Sequence, residues 1–417
     1  MKKRLSSIIV VLSALLFVGC VDTPDKEGWH SAQKSEFLDI LKTDKYLSIC
    51  NSSTLYEKIL KDSNSVLMSR MLVEYAKNLA NSCIDLKRFN ALQKARNNVH
   101  FSSKFTTYLQ KVNVKAIAMQ LKAGQSIEQI LSPYIPDYHQ FSALLEQYHN
   151  LSENSDASEA LLHKIRMSIE RLKLMKPSLG DKYVLVNIPE FKVRVIEDNN
   201  TSISMRVITG RKNKQTPIFA AELKYIVLNP TWNVPNSIAR HEIISRVIKD
   251  PSYLKRHRLV VRRDYNIASP AVTFNAEVAK AYIGGKGDVP FKFIEVASGR
   301  NALGRVKFIF PNENSVYMHD TPAKRLFKRK IRAYSHGCIR LGEPKKMLDF
   351  ITTNYTSTPM KQVNKEYRSR KTNYVSVTKK LPIHTAYLTA YVKEDGKLYV
   401  FNDIYRYDKL QKLNFKE

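Results

Sequence analysis

The amino-acid sequence predicts an α+β protein in which a helical N-terminal scaffold precedes a mostly β domain with an inserted capping segment. Apolar residues recur at helical spacing from about residue 35 to 177, and Gly124 is the only glycine between Gly28 and Gly180. After Gly180 the apolar residues alternate, as they do in strands that bury one face. A chain of 417 residues can hold two or three such domains, each with its own core.

Residues 35–178 are predicted to form the helical scaffold domain. Its apolar faces are typified by two sets at helical spacing, namely Phe141, Leu144, Leu145 and Tyr148, then Leu162, Ile165, Ile169 and Leu172. Pro133 and Pro136 separate helices, because proline cannot continue one. We expect these aromatic and apolar residues to form a core, and we expect no chemistry from this region.

Residues 181–410 are predicted to form the β domain. Alternating runs are punctuated by Pro189, Asn199-Asn200 and Pro230, which end strands. Near the C-terminus, Asp395-Gly396 lies between two further runs, which is a strong hairpin signal. We therefore expect the tail to extend the β domain.

The segment 236–296 interrupts the strands with a different pattern. Residues 238–248 are helical in spacing, and Gly284, Gly285 and Gly287 cluster further on. These glycines do not open a helix after a strand, so they do not indicate a phosphate-binding loop. A segment of this kind can be a lid over an active site or an ordinary surface insertion, and we favour the lid.

The charge and the N-terminus together indicate a compartment. Sixty-eight Lys and Arg residues against 38 Asp and Glu give a formal charge of +30, which suits nucleic acid, anionic lipid or an anionic wall polymer. Residues 1–20 carry a basic start and an apolar run too short to span a bilayer, which is typical of a signal peptide. Secretion argues against nucleic acid as the partner.

The signal segment ends in Gly19-Cys20, which resembles a bacterial lipoprotein cleavage box. Cys20 would then be the lipidated first residue of the mature protein, followed by a polar tether over 21–34. The alternatives are an ordinary signal peptide or an uncut signal anchor.

Three further cysteines follow Cys20. Cys50 and Cys83 either pair or remain inert thiols, since Cys83 also falls on an apolar helical face. Cys338 is then the one reactive thiol. Because no Cys or His pair has zinc-site spacing, we predict no metal.

The candidate chemistry lies between Tyr317 and Arg340. If residues 316–319 form a strand, Tyr317 and His319 share one face, while Asp320 points away. The backbone carbonyl of Asp320 is then a better orienting group for the imidazole than its carboxylate. His319 lies 19 positions (338 − 319) before Cys338, so the chain can turn and bring the thiol alongside. His319 would accept the thiol proton, or the two groups would form a standing thiolate–imidazolium pair.

The motif Ser335-His336-Gly337-Cys338-Ile339-Arg340 supplies the remaining candidates. The N–H groups of Gly337 and Cys338 are the expected oxyanion hole. We expect His336 to be structural or a secondary donor, with the alternative that it is the base. Arg340 either anchors a substrate carboxylate or pairs with a carboxylate of the protein. Tyr317 contacts substrate or oxyanion, or packs as part of the wall.

At these residues the sequence resembles the L,D-transpeptidases with a YkuD-type catalytic domain. Further matches resemble the large periplasmic branch of that family, and they run through 186–189, 216–218, 229–235 and 301–307. The resemblance covers about 181–410 and, more weakly, the helical scaffold. It implies a cysteine nucleophile at Cys338, a general base at His319 and a second motif histidine at His336. We also expect substrate contacts from Trp232 and Asn301, which stand in the matched segments.

The resemblance implies that peptidoglycan stem peptides are the partners and that no cofactor is needed. Attack on the bond between the third stem residue and D-Ala would give a thioester, which a second stem resolves as a 3→3 cross-link. Water as acceptor would make an L,D-carboxypeptidase, and a protein lysine would attach protein to the wall. Carbapenems usually acylate such cysteines. An alternative of another class is a catalytically silent, lipid-anchored wall-binding scaffold in a Gram-negative-type envelope.

Two features depart from that family. Asn often stands where this chain has Arg340, and no peptidoglycan-binding repeat is evident between the scaffold and the β domain. Wall binding would then fall to the basic surface or to the lid.

Overall fold

The computed structural model describes residues 24–96, 105–153, 157–285 and 288–414. The predicted signal peptide and Cys20 lie outside these residues. Eight helices come first in the described part of the chain: α1 Ser31–Thr43, α2 Ser53–Lys61, α3 Ser65–Asn81, α4 Leu86–Arg96, α5 Val114–Lys122, α6 Ile127–Leu131, α7 His139–Ser152 and α8 Glu159–Lys173. No helix of these described ranges combines the length and the apolar composition that crossing a bilayer requires.

The helical region begins earlier than the tether predicted over 21–34 would allow. Trp29 is buried, and its indole N–H donates to the Ser69 hydroxyl at 2.8 Å. Helix α1 starts two residues later, at Ser31. The burial of Trp29 thus anchors part of the predicted tether to the helical domain, although most of the residues around Trp29 are polar.

Helix α8 is buried on several sides, which its apolar pattern alone does not indicate. Glu170 accepts from Arg166 Nε at 2.9 Å and from Lys173 Nζ at 3.1 Å, and all three side chains are buried. A disulfide joins Cys50 to Cys83 beside this cluster, with their Cα atoms 5.7 Å apart. Arg166 Nη2 lies 3.4 Å from the Cys83 sulfur. The scaffold therefore contains a buried charge network as well as an apolar core.

The region after Gly180 is rich in strands, as its alternation predicts. The strands are β1 Lys182–Asn187, β2 Lys192–Glu197, β3 Asn200–Gly210, β4 Ala220–Glu222, β5 Tyr225–Leu228, β6 Trp232–Asn233, β7 Leu259–Arg262, β8 Lys292–Glu295, β9 Val306–Ile309, β10 Met318–His319, β11 Ala333–Ser335, β12 Ile339–Leu341, β13 Asn373–Ser376, β14 Pro382–Ala386, β15 Ala390–Val392 and β16 Leu398–Val400. The remaining helices are α9 Asn236–Ile238, α10 Ile244–Lys249, α11 Ser252–Arg256, α12 Ala276–Lys280, α13 Pro344–Tyr355, α14 Met360–Ser369 and α15 Tyr407–Leu410.

Eleven of the strands in the described ranges form one curled sheet in the order β13-β5-β9-β10-β12-β3-β2-β1-β14-β4, with β11 beside β3. The core of this sheet includes Val184, Ile226, Phe308, Met318 and Ile339, all shielded from solvent. Strand β10 pairs in parallel with β12 and antiparallel with β9, so the His319 strand lies between its two neighbours.

The segment 236–296 is folded around a small core of its own. Strands β6, β8 and β7 form a separate three-stranded sheet, and α9 to α12 pack with it. Helices α9 and α10 are joined by a π-helical turn over Ala239–Ile243, in agreement with the helical pattern of 238–248. The insertion is thus a small subdomain with its own sheet and its own hydrophobic core.

The C-terminal hairpin forms where Asp395-Gly396 predicts it, but on the other half of the molecule. Strands β15 and β16 pair with each other and not with the large sheet. Val392 exchanges hydrogen bonds with the Gln140 side chain of α7, and the Ala390 N–H donates to Ser168 of α8. The tail therefore connects both domains and does not simply extend the β domain.

Candidate active site

Cys338 and His319 face the same cleft from neighbouring strands. Met318 pairs with Ile339, and both enter the sheet core, so the residues on either side of them point to the opposite face. Tyr317 and His319 on one strand, and Cys338 and Arg340 on the other, thus line one cleft of about 650 Å³. No hydrogen bond joins the Cys338 sulfur to the His319 ring within the described part of the chain. Such contacts are often loose before substrate binds.

The orientation of His319 follows the expectation from sequence. Its Nδ1 lies 2.5 Å from the backbone carbonyl of Asp320. The Asp320 carboxylate points away and accepts from the Arg305 N–H at 2.9 Å and from Lys324 at 2.6 Å. Because only a protonated nitrogen can donate to a carbonyl, Nδ1 carries the hydrogen and Nε2 keeps its lone pair. Gly304 permits this packing, since a Cβ there would collide with the Asp320 carboxylate.

Burial holds His319 in its neutral form. It lowers the pKa of the imidazole from 6.5 to about 3, assisted by the positive charges of Arg340 and Lys307. The carbonyl groups of Asp320 and Leu303 act in the opposite direction. A neutral imidazole with a free lone pair can accept a proton.

Cys338 is the one free cysteine of the described residues, and it is partly exposed. Burial raises the pKa of its thiol, although hydrogen bonds from Tyr317 and the charges of Lys307 and Arg340 act to lower it. With the thiol pKa raised and the His319 pKa lowered, the resting pair is thiol and neutral imidazole. Of the two expected arrangements, these pKa directions favour proton transfer during attack over a standing ion pair.

Two cations face the cleft without a carboxylate partner among the described residues. Lys307 pairs with His319 across the strands, and its Nζ lies 3.9 Å from the centre of the Tyr317 ring. The Nε atom of Arg340 is buried and has no hydrogen-bond partner. Of the two roles expected for Arg340, pairing with a protein carboxylate is not observed here, which favours a substrate anion.

The Gly337 N–H is not available as the oxyanion donor that we expected. It donates to the Ser335 hydroxyl at 3.2 Å, and that hydroxyl in turn donates to the Cys338 carbonyl at 2.6 Å. Gly337 adopts φ = 119°, a backbone conformation that favours glycine, and its carbonyl accepts from Thr216 at 2.8 Å. Gly337 therefore shapes the loop, and the Cys338 N–H remains as a backbone donor.

His336 points toward the inserted segment. Its Nε2 lies 2.7 Å from the Glu242 carboxylate and 3.0 Å from Arg211 Nη2. Burial lowers the pKa of His336, and Glu242 opposes that effect. A neutral ring that donates to Glu242 fits a positioning role better than that of the base.

Of the two remaining residues that we expected to contact substrate, Trp232 lines the cleft and Asn301 does not. Trp232 is half-buried and lines the cleft, together with Pro235 and Ile238 from the edge of the insertion. Asn301 is fully buried, and its amide donates to the carbonyls of Glu295 and Val296 while its oxygen accepts from the Leu303 N–H. Contrary to our expectation, Asn301 is not placed to contact substrate, because all its polar atoms hold a turn.

Sequence reasoning missed Glu242, Arg211 and Lys307. The position of Lys307 could have been predicted from the sequence. It lies between Val306 and Phe308, which are both buried, so its side chain faces the cleft side of β9. No sequence pattern predicts the contacts of Glu242 and Arg211 with His336, because these contacts depend on how the insertion folds against the motif. The tail also contributes: the Tyr405 hydroxyl accepts from the Thr216 N–H at 3.1 Å beneath the motif.

The sequence of this chain is similar to those of known L,D-transpeptidases. Residues 181–364 match the model of the YkuD L,D-transpeptidase catalytic domain. A putative L,D-transpeptidase of Haemophilus influenzae is 28% identical over 250 residues, which cover 60% of this chain and 49% of that protein. The chain thus spans about half the length of the curated relative it matches.

Solved structures resemble the chain only weakly. An L,D-transpeptidase from Mycobacterium smegmatis is 13% identical, with 50% of this chain and 59% of that one covered and a TM-score of 0.21. L,D-transpeptidase 1 of Mycobacterium tuberculosis is 12% identical, with 50% and 63% covered and a TM-score of 0.18. Residues 181–364 therefore form a catalytic domain of the YkuD L,D-transpeptidase type.

Proposed function

We propose that this chain is a peptidoglycan L,D-transpeptidase that forms 3→3 cross-links through a thioester on Cys338. The observation that carries the proposal is the shared cleft face of a free thiol and a buried, neutral imidazole on paired strands. Cations beside the thiol suit a substrate that brings a carboxylate.

In the first half-reaction, His319 Nε2 takes the proton from Cys338 as the sulfur attacks the carbonyl carbon before the terminal D-Ala. The carbon–sulfur bond forms, and the negative charge on oxygen meets the Cys338 N–H, with Tyr317 beside it. When the tetrahedral intermediate collapses, the carbon–nitrogen bond breaks and His319 returns the proton to the leaving amine. D-Ala departs and a thioester remains.

In the second half-reaction, the side-chain amine of another stem attacks the thioester carbon. His319 accepts a proton from that amine and returns it to the sulfur, so the free thiol is restored. Water in place of the amine gives an L,D-carboxypeptidase, and a protein lysine gives attachment of protein to the wall. The chemistry at Cys338 is the same in each case, so the products distinguish them.

The test is mass spectrometry of the products from disaccharide tetrapeptides. We expect 3→3 linked dimers and released D-Ala with wild type, and neither with Cys338→Ala. If the products were tripeptide monomers without dimers, the activity would be that of a carboxypeptidase and not of a cross-linking enzyme. Turnover that survives in Cys338→Ala, or no turnover in wild type that still binds sacculi, would reject the thioester route, and the second result would favour the silent wall-binding scaffold.

For the envelope location, we propose a periplasmic lipoprotein anchored through Cys20. Support comes from the basic and apolar start of the chain and from the Gly19-Cys20 pair. The test is incorporation of labelled fatty acid into the full chain. Labelling should disappear in Cys20→Ser and persist in Cys338→Ser, whereas equal labelling of both variants would refute the anchor.

A further inference from the structure

A second cavity lies where the helical scaffold meets the β domain. Its volume is about 730 Å³, and it shares no lining residue with the cleft of Cys338. Tyr108 and the 176–182 connection between α8 and β1 form one wall, and β4 with the start of β14 forms the other. Nothing in the cross-linking reaction uses this cavity.

His384 lines this cavity with an unsatisfied nitrogen. Its side chain is buried, with 2% of the residue exposed, and Nε2 has no hydrogen-bond partner. Strand β14 holds the ring between β1 and β4, where His384 pairs with Leu185 and Ala220, and the Tyr183 ring packs edge-on at 6.1 Å. A buried polar atom without a partner costs about 1–3 kcal/mol, and a ligand or a water molecule that bonds to it removes this cost.

The rim of the cavity is basic. Lys176, Lys182 and Lys380 line it, and neither Lys176 nor Lys380 has a carboxylate within ion-pair distance among the described residues. Lys182 lies 3.8 Å from Glu197. Glu222 also lines the cavity, but Lys224 occupies its carboxylate at 2.6 Å. Asp181 lines the cavity as well, and the Glu222 carboxylate feels the charges of Lys380 and Lys176. Three lysines and two carboxylates therefore surround the unsatisfied imidazole.

We propose that this cavity binds an oxyanion, a carboxylate or a phosphate, with one oxygen on His384 Nε2 and its charge opposite Lys176 and Lys380. Burial and the charge of Lys176 lower the pKa of His384 to about 3, so the ring is neutral, and the proposed contact requires the tautomer that carries its hydrogen on Nε2. The site is independent of Cys338, so it stands whether or not the chain forms cross-links.

The test follows the His384 ring signals by NMR in the full chain. Inorganic phosphate and N-acetyl-D-alanine are titrated separately at ionic strength held constant with sodium chloride, and N-acetyl-D-alanine methylamide serves as the uncharged probe. We expect saturable shifts of the His384 ring with at least one anion and none with the amide. The anion that binds more tightly identifies the source of the oxyanion.

Matched variants separate the cavity from non-specific attraction. Lys380→Gln should weaken the binding that shifts His384 by about tenfold, as the loss of one charge-assisted contact predicts. Lys379→Gln should leave it unchanged, because Lys379 is exposed next to Lys380 but does not line the cavity. No shift of His384 with either anion, or equal weakening in the two variants, would overturn the proposal.

Discussion

The Nε2 atom of His336 lies 2.7 Å from the Oε1 atom of Glu242, which joins the motif of Cys338 to the inserted segment. Arg211 Nη2 approaches the same carboxylate at 3.7 Å. The loop that carries the thiol is thus held by a residue about a hundred positions away. This contact therefore links the insertion directly to the loop that carries the thiol.

Glu242→Gln should slow acylation of Cys338 about fivefold, because a neutral amide replaces a charge-assisted acceptor and about 1 kcal/mol of positioning is lost. Loss of that negative charge should also lower the pKa of His336 further, since Glu242 raises it. Stopped-flow acylation and NMR titration of His336 measure the two effects. The matched control is Glu277→Gln, because Glu277 pairs with Lys280 within the same insertion. Equal acylation rates in the Glu242→Gln and Glu277→Gln variants would show that Glu242 does not position the loop of Cys338.

Alkylation of Cys338 by iodoacetamide should accelerate with rising pH up to and beyond pH 9. Burial raises the thiol pKa above its ordinary value of 9.0, so the reactive thiolate increases only at high pH. Protonation of His319, with a pKa of about 3, should produce no step between pH 5 and 8. Lys307→Met should move the rise to still higher pH, because Lys307 lowers the thiol pKa. A rate that is already constant at pH 6 would instead indicate a standing thiolate–imidazolium pair.

Arg340→Asn should raise KM for a tetrapeptide stem about tenfold, equivalent to about 1.4 kcal/mol, with a smaller change in kcat. The physical reason is the buried Nε of Arg340, which has no hydrogen-bond partner and can meet a substrate carboxylate. The control is a stem whose terminal carboxylate is amidated, which should be processed with similar KM by both proteins. An equal effect of the substitution on the two substrates would show that Arg340 does not bind that carboxylate.

Glu170→Gln should reduce the free energy of unfolding by about 3–5 kcal/mol, because it leaves Arg166 and Lys173 buried without their shared carboxylate. Glu74→Gln on α3 is the matched control, since its pair with Lys77 is exposed and should contribute less than about 1 kcal/mol. Urea denaturation measures both variants. Similar midpoints for the two would mean that the network around Glu170 adds little stability.

Much of the fold follows from patterns that are local in sequence. The change from helical to alternating spacing at Gly180 marks where strands begin, and Asp395-Gly396 marks a hairpin. The packing of that hairpin against α7 and α8 was not predictable from the sequence. The turn determines that a hairpin forms, but it does not determine which element the apolar face of the hairpin packs against. The start of α1 was missed for a similar reason, since the burial of Trp29 is a tertiary event.

The site divides in the same way. Alternation along β10 placed His319 and Tyr317 on one face and assigned the Asp320 carbonyl to the ring, as observed. The Gly337 N–H was misassigned because the Ser335 hydroxyl competes for it, and sequence does not show that geometry. Asn301 looked like a substrate contact because of its matched segment, whereas its buried amide serves the backbone.

The central claim is that the sulfur of Cys338 is the nucleophile of an acyl transfer, and intact-protein mass spectrometry with a carbapenem tests it most directly. We predict that wild type gains the mass of one carbapenem and that Cys338→Ala, verified as folded by circular dichroism, gains none. An adduct of the same mass on Cys338→Ala, or no adduct on folded wild type, would contradict the claim.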